Sequence, residues 1–94
     1  MNPIQKKQFK AQAHALSPVV IIGQAGLTDA VIKEINISLD AHELIKIKIR
    51  AERDERLTHT TAICNVTGAA LVQSIGQVVV LYRKNPKKPR ATTV

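Results

Sequence analysis

Aromatic side chains are nearly missing from this chain of 94 residues, which contains Phe9, Tyr82 and no tryptophan. A hydrophobic content of 45% is still enough for a folded core, so we expect that core to be aliphatic. The shortage means that stacking of nucleobases on an aromatic platform cannot be the main way of binding a nucleic acid. It also argues against an RNA-recognition motif, whose sheet presents several rings.

Cysteine and long apolar runs are also scarce. Cys64 is the single cysteine, which excludes an internal disulfide and a cysteine-based zinc site. Its apolar surroundings predict a buried, inert thiol. No apolar run approaches the roughly 18 residues that span a membrane, and the N-terminus lacks a hydrophobic signal segment. We therefore expect a cytoplasmic protein with no membrane partner. We also expect no cofactor and no small-molecule substrate.

Acidic residues are absent from both ends of the chain. The formal net charge is +7, and all seven carboxylates lie between Asp29 and Glu55. Residues 1–28 and 56–94 are purely basic in their charge, which favours a polyanionic partner such as a nucleic acid. Solubility alone is the alternative, although charge that serves solubility is usually mixed in sign.

A basic helix is predicted over residues 3–16, with Pro3 in its first turn and Ser17–Pro18 at its end. At about 100° per residue, its cationic side chains fall within an arc of about 100°. They are Lys6, Lys7, Lys10 and His14. A merely solvated face is the alternative, but exposed helices usually pair such charges with carboxylates, and this helix has none.

A strand, a Gly-x-x-Gly loop and a second helix follow. Val19–Ile22 is apolar on both faces, as a buried central strand would be. The helix is predicted over 29–41, with Thr28 as its cap. The intervening loop consists of Gly23, Gln24, Ala25 and Gly26. Its two glycines allow another backbone to approach closely, and the helix N-terminus attracts anions.

This loop therefore predicts a site for phosphate oxygens. An ordinary tight connection between a strand and a helix is the alternative. The residues exclude a Walker loop, because no Gly-Lys-Ser/Thr follows, and they also lack the dinucleotide-binding fingerprint.

The segment Leu44–Arg50 alternates strictly between apolar and basic residues, which predicts a strand. Its isoleucines should enter the core, while its other face forms a basic row of Lys46, Lys48 and Arg50. The row either contacts a polyanion or protects an edge strand from aggregation.

The remaining elements differ in clarity. Residues 52–67 start like a charged helix that stops at Gly68, but their threonines favour a strand. The local pattern leaves this segment open. Leu71–Ile75 and Val78–Arg83 predict a hairpin with Gly76–Gln77 as its turn.

Three blocks of the sequence, in this order, resemble a CRM domain of the bacterial YhbY type, where CRM stands for chloroplast RNA splicing and ribosome maturation. They are Pro18–Thr28, His42–Lys48, and Ile75–Gly76 with Val79–Arg83. The resemblance covers most of residues 5–83. It implies an α/β fold, with a four-stranded mixed sheet packed by helices, similar to the C-terminal domain of a bacterial translation initiation factor. It also implies that 52–67 is helical.

We expect a CRM-like RNA-binding domain at 1–83, and the Pro- and Lys-rich composition of residues 84–94 predicts a basic, flexible tail. The resemblance implies RNA binding without enzymatic activity and association with precursors of the large ribosomal subunit. The family's loop maps onto Gly23, Gln24, Ala25 and Gly26, and its basic first helix onto Lys6, Lys7 and Lys10. Family members often carry a lysine immediately before the proline that opens the first block. This chain has Ser17 at that position. We add Thr28, Lys46, Lys48 and Arg83 to the predicted RNA-binding residues.

Three other functions stay open. The first is a generic protein that coats DNA or RNA without a ribosomal role, and the second is a module that binds only other proteins. The third is a small ribonuclease that uses His14, His42 or His59, but nothing in the sequence brings two of them together. Tyr82 could stack on a base, although the rim of the core is the commoner place for such a residue.

Overall fold

Helices and strands alternate through most of the computed structural model, which describes residues 1–86. The elements in chain order are α1 (Pro3–Ala13), β1 (Pro18–Ile22), α2 (Asp29–His42), β2 (Leu44–Ile49), α3 (Arg53–Thr67), β3 (Ala70–Ile75) and β4 (Val78–Tyr82). They agree with the predicted α/β order. The predicted flexibility of the tail concerns mainly residues 87–94, which lie outside the described residues. Within the predicted tail, the backbone N–H of Asn85 donates to the Glu43 carboxylate over 2.8 Å.

The first helix is shorter than predicted. Asn2 and Gln5 form a capping box around Pro3, which confirms the predicted start. The helix ends at Ala13 rather than at residue 16, because the next three N–H groups bond to carbonyls only three residues back. This tighter turn redirects the chain before Pro18, which itself disfavours a helical residue before it.

The four strands form one mixed sheet in the order β1-β2-β4-β3. β1 runs parallel to β2, whereas β2–β4 and β4–β3 are antiparallel. The prediction that Val19–Ile22 is a central strand is wrong, because β1 lies at the sheet edge. Val20 and Ile22 are buried, but Val19 is 42% exposed and Ile21 is 53% exposed. Within residues 1–86, no helix covers the outer face of this strand, so Val19 and Ile21 remain at the surface.

β2 occupies the middle of the sheet. Ile45, Ile47 and Ile49 are buried, which confirms the predicted alternation, and the strand stops one residue before Arg50. The alternative that this basic strand protects a sheet edge is wrong, because β2 pairs with both β1 and β4.

The threonine-rich segment is α3, as the family resemblance implied. The Thr58, Thr60 and Thr67 hydroxyls each donate to the carbonyl four residues earlier, at 3.1, 2.8 and 2.7 Å. These side chains thereby satisfy their polar groups within the helix. Gly68 ends α3 in a left-handed conformation, and Gly76 forms the predicted hairpin turn.

Helices pack on both faces of the sheet. The larger core lies between the sheet and the helices α2 and α3, and includes Ile35, Leu39 and Ile63. The smaller core lies against α1 and contains Ala13, Leu44, Val72 and Val80. At its rim the ring of Tyr82 stacks on Phe9 with centroids 4.3 Å apart. Tyr82 is thus a rim packing residue.

Candidate nucleic-acid interface

The Gly-x-x-Gly loop connects the C-terminal end of β1 to the N-terminus of α2. The Gly26 N–H donates to the Gly23 carbonyl over 3.1 Å, which closes a turn. Gly26 has φ 71°, and the Thr28 N–H donates back to its carbonyl over 3.1 Å. The Thr28 hydroxyl accepts from the Val31 N–H at 3.1 Å, which confirms the predicted cap.

These bonds determine which loop donors can meet an anion. The N–H groups of Gly26 and Thr28 are used inside the loop. Within residues 1–86, no acceptor pairs with the N–H groups of Gln24, Ala25 and Leu27. Gln24 and Ala25 are also exposed. The available donors therefore lie at the tip of the loop.

The N-terminus of α2 attracts an anion less strongly than the sequence suggested. Asp29 lies exposed in the first turn, where its carboxylate complements the positive end of the helix dipole. A phosphate at the helix N-terminus would meet this negative charge. An anion would therefore meet less repulsion at the loop tip than at the N-terminus of α2.

His59 is a neighbour of the loop that sequence reasoning missed. A Cβ added to Gly26 would lie 3.6 Å from His59 Cε1, so the imidazole packs against the loop backbone. The adjacent ring atom, His59 Nε2, lies 3.7 Å from Glu55 Oε1. No local pattern could reveal this contact, since it depends on how α3 packs beside α2. His14 and His42 lie at the ends of the other two helices.

The basic row of β2 lies on the sheet face that carries α1. Lys46 and Lys48 are half-buried there. Lys46 Nζ donates to the Leu16 carbonyl over 3.0 Å and so ties the α1–β1 connection to the sheet. The Arg50 N–H donates to the Ile22 carbonyl over 2.9 Å, which places this exposed arginine beside the start of the loop.

Of the three lysines of α1, Lys10 approaches the same face. Lys6 and Lys7 are exposed, and Lys10 is half-buried. Lys10 and His14 line a groove between α1 and the sheet, together with Lys46. The structure therefore brings the predicted basic helix and the basic strand together.

Arg83 is placed differently from the other predicted residues. Its guanidinium donates to the Asn36 side chain and to the Thr67 carbonyl, both over 2.7 Å. It also donates to the Asn36 carbonyl at 3.2 Å and to the Asp40 carboxylate at 2.8 Å. Through these contacts Arg83 joins α2 and α3 to the end of β4. An RNA contact of Arg83 stays a prediction.

The carboxylates lie on the opposite side of the sheet. All seven belong to α2, to α3 or to the cap residues of these helices: Asp29, Glu34, Asp40, Glu43, Glu52, Asp54 and Glu55. The helix α1 and the strands contain none. Charge of one sign is therefore concentrated on the α1 side, which suits a polyanion.

The structure gives little support for other chemistry. Cys64 is half-buried, and burial raises the pKa of its thiol, which lowers the thiolate fraction at neutral pH. Among the described residues, no group of three histidine, cysteine or acidic side chains could hold a metal ion. In the same part of the chain, no helix is long and apolar enough to cross a bilayer.

The sequence is similar to a known domain family and to proteins with RNA-binding names. The sequence profile of the CRS1 / YhbY (CRM) domain matches residues 1–83. Probable RNA-binding protein PA4753 of Pseudomonas aeruginosa is 49% identical over 84 residues, covering 88% of this chain and 81% of the relative. An RNA-binding protein of Haemophilus influenzae is 48% identical over 80 residues, covering 84% of this chain and 81% of the relative.

A solved structure supports the fold. The solution structure of the hypothetical protein SAV1595 from Staphylococcus aureus superposes with a TM-score of 0.81 at 29% sequence identity. The match covers 97% of this chain and 95% of that one. The arrangement of three helices around a four-stranded sheet is therefore shared with that protein.

Proposed function

The chain belongs to the CRS1 / YhbY (CRM) domain family, and from this membership we propose that it is a non-enzymatic RNA-binding protein. Its relatives in Pseudomonas aeruginosa and Haemophilus influenzae carry RNA-binding names, which supports the proposal. The observation that carries it is the separation of charge across the sheet. The lysines of α1 and β2 lie on the side without carboxylates, where they attract an RNA backbone, and the loop follows β1 at the edge of the same sheet.

The proposed mechanism is clamping of the RNA backbone. One phosphate accepts hydrogen bonds from the N–H groups of Gln24 and Ala25, and the absence of a Cβ at Gly23 leaves room for it. Gly26 and Thr28 hold the loop in this shape through their internal bonds. The neighbouring phosphates then meet the lysines of the basic face, which are Lys6, Lys7, Lys10, Lys46 and Lys48. Such contacts carry no base information.

A change at Gly23 tests the loop. Gly23 does not have a positive φ, and a Cβ added there meets nothing within 4 Å, so Gly23→Asp should fold normally. Its carboxylate would repel the phosphate, and we expect affinity for a single-stranded oligoribonucleotide to fall about tenfold or more. Fluorescence anisotropy measures this affinity.

The matched control is Asn65→Asp, which adds the same charge at an exposed position of α3. It should keep nearly full affinity. A folded Gly23→Asp protein that binds as tightly as the Asn65→Asp control would exclude the loop from the interface.

We further propose that the RNA is ribosomal RNA in precursors of the large ribosomal subunit, in the cytoplasm. The resemblance to ribosome-maturation domains supports this partner. Sedimentation of a tagged copy through a sucrose gradient, at low and moderate salt, tests it. We expect co-migration with particles at or slightly lighter than the large subunit. Migration at the top of the gradient at both salts would leave a generic RNA-binding protein without a ribosomal role.

A further inference from the structure

We propose that the sheet face beside the loop binds the bases of unpaired nucleotides, while the loop and the lysines hold their phosphates. This inference rests on the proposed RNA-binding function and adds the class of RNA. The surface in question, here called the open sheet face, consists of Ile21, Lys48, Val78 and Ile75.

The strand register places these four residues in one row across the sheet. Ile21 pairs with Lys48, Lys48 with Val78, and Val78 with Ile75. Cross-strand partners point to the same side of a sheet. With strands about 4.8 Å apart, the row spans about 14 Å. It therefore forms a continuous surface that crosses all four strands.

Within residues 1–86, α1 leaves both ends of this row uncovered. α1 packs on the other half of the same face, where its core partners are Leu44, Val72 and Val80. As a result Ile21 is 53% exposed and Ile75 is 60% exposed. Isolated exposed aliphatic residues are common and need no explanation. Here Ile21 and Ile75 lie at the two ends of one row, and Ile21 precedes the Gly-x-x-Gly loop.

The charges around the row identify its occupant. Lys48 lies within the row, and Lys10, His14 and Lys46 line the groove that Val78 and Ile75 enter from the side of α1. Arg50 follows β2 at the same end of the sheet as the loop. An apolar surface framed by cations, with carboxylates confined to the opposite helices, fits a ligand with flat apolar parts on an anionic backbone. Unpaired nucleotides have this chemistry, whereas a duplex keeps its bases stacked inside.

The test combines a protein variant with RNA that lacks bases. The variant is Ile21→Thr/Ile75→Thr in the full chain, since threonine retains the β-branched shape that strands favour. The control is Ile37→Thr/Val66→Thr, which changes two equally exposed aliphatic residues on α2 and α3. The probes are a single-stranded oligoribonucleotide and the same oligonucleotide with abasic sites at its central positions.

We expect the open-face variant to bind the intact probe about tenfold more weakly than the unchanged protein, because apolar contact is lost. The unchanged protein should lose a similar factor on the abasic probe. The affinity of the variant for the abasic probe should equal its affinity for the intact probe, because the contact between the bases and the isoleucines is already absent. The salt dependence should stay the same, since no phosphate contact is removed.

The outcomes separate this inference from the proposed function. If the unchanged protein binds neither probe, RNA binding itself is wrong. If it binds both probes equally, or if the variant loses the same factor on both, the open sheet face does not bind bases. Full affinity of the folded variant for the intact probe would likewise overturn the inference and direct attention to a protein partner for this face. The comparison of the two probes on unchanged protein requires no variant to fold.

Discussion

The two glycines of the loop have different structural roles. Gly26 has φ 71°, a conformation that costs other residues about 1–2 kcal/mol. Gly23 has no such restriction, and the space around its missing Cβ is open. Gly26 thus shapes the loop, whereas Gly23 leaves room for a ligand.

Alanine at each position should show this difference. We expect Gly26→Ala to lower the free energy of unfolding by about 1–2 kcal/mol, because the strained backbone must be retained. Gly23→Ala should change it by no more than about 0.5 kcal/mol, or increase it slightly through the unfolded state. Urea denaturation measures both. Equal midpoints for the two variants would contradict the assigned roles.

The sequence predicts where the loop lies, but it does not show which of the loop N–H groups are available to a ligand. Two glycines before a threonine cap are a local pattern, and the cap is confirmed. The use of the Gly26 and Thr28 N–H groups inside the loop depends on backbone angles that the sequence does not specify. The packing of His59 against the loop depends on tertiary structure for the same reason.

At the scale of secondary-structure elements, Arg83 holds three of them together. Its guanidinium makes the four hydrogen bonds described above, to α2 and to the last residue of α3. The Arg83 N–H also donates to the Glu43 carbonyl at the end of α2, over 2.9 Å. Glu43 itself has φ 63°, so this junction keeps a strained backbone in place.

Arg83→Met removes these side-chain bonds while retaining most of the aliphatic stem. We expect the free energy of unfolding to fall by about 2 kcal/mol, because this is a typical contribution of hydrogen bonds to a charged group. Urea denaturation of Arg83→Met beside Arg50→Met provides the comparison, because Arg50 is exposed. Equal stability of the two variants would show that the clamp contributes nothing. Any phosphate contact of Arg83 would appear separately, as a weaker salt dependence of RNA binding.

The elements also show where local patterns reach their limit. The alternation of β2 specified both its strand and its buried face, and the structure confirms them. For α3 the threonines left the choice open, because their hydroxyls can bond either within a helix or elsewhere. The error at β1 has another cause: two apolar faces indicate burial on both sides only if a helix covers each. α1 ends at Ala13, and the outer face of β1 stays exposed.

For the whole molecule, the important property is the distribution of charge rather than the total of +7. In the part of the chain that the structure describes, the acidic residues occupy the α2 and α3 side, and the charged side chains of α1 and of the strands are all basic. The same division follows from the sequence order, because the acidic residues between Asp29 and Glu55 belong to α2, to the start of α3 and to their caps, and both helices pack on one face. A polyanion should therefore bind in one orientation.

This distribution predicts a steep and localised salt dependence. For four to six contacted phosphates, log affinity for single-stranded RNA should fall with log salt with a slope of about −3 to −4. Lys48→Gln should reduce the slope by about 0.7, since one phosphate contact is lost. Lys33→Gln removes the same charge from an exposed position on α2, and its slope should match that of the unchanged protein. If both substitutions reduced the slope equally, net charge rather than a defined face would govern binding, because only a surface that binds in one orientation can distinguish two lysines of equal charge.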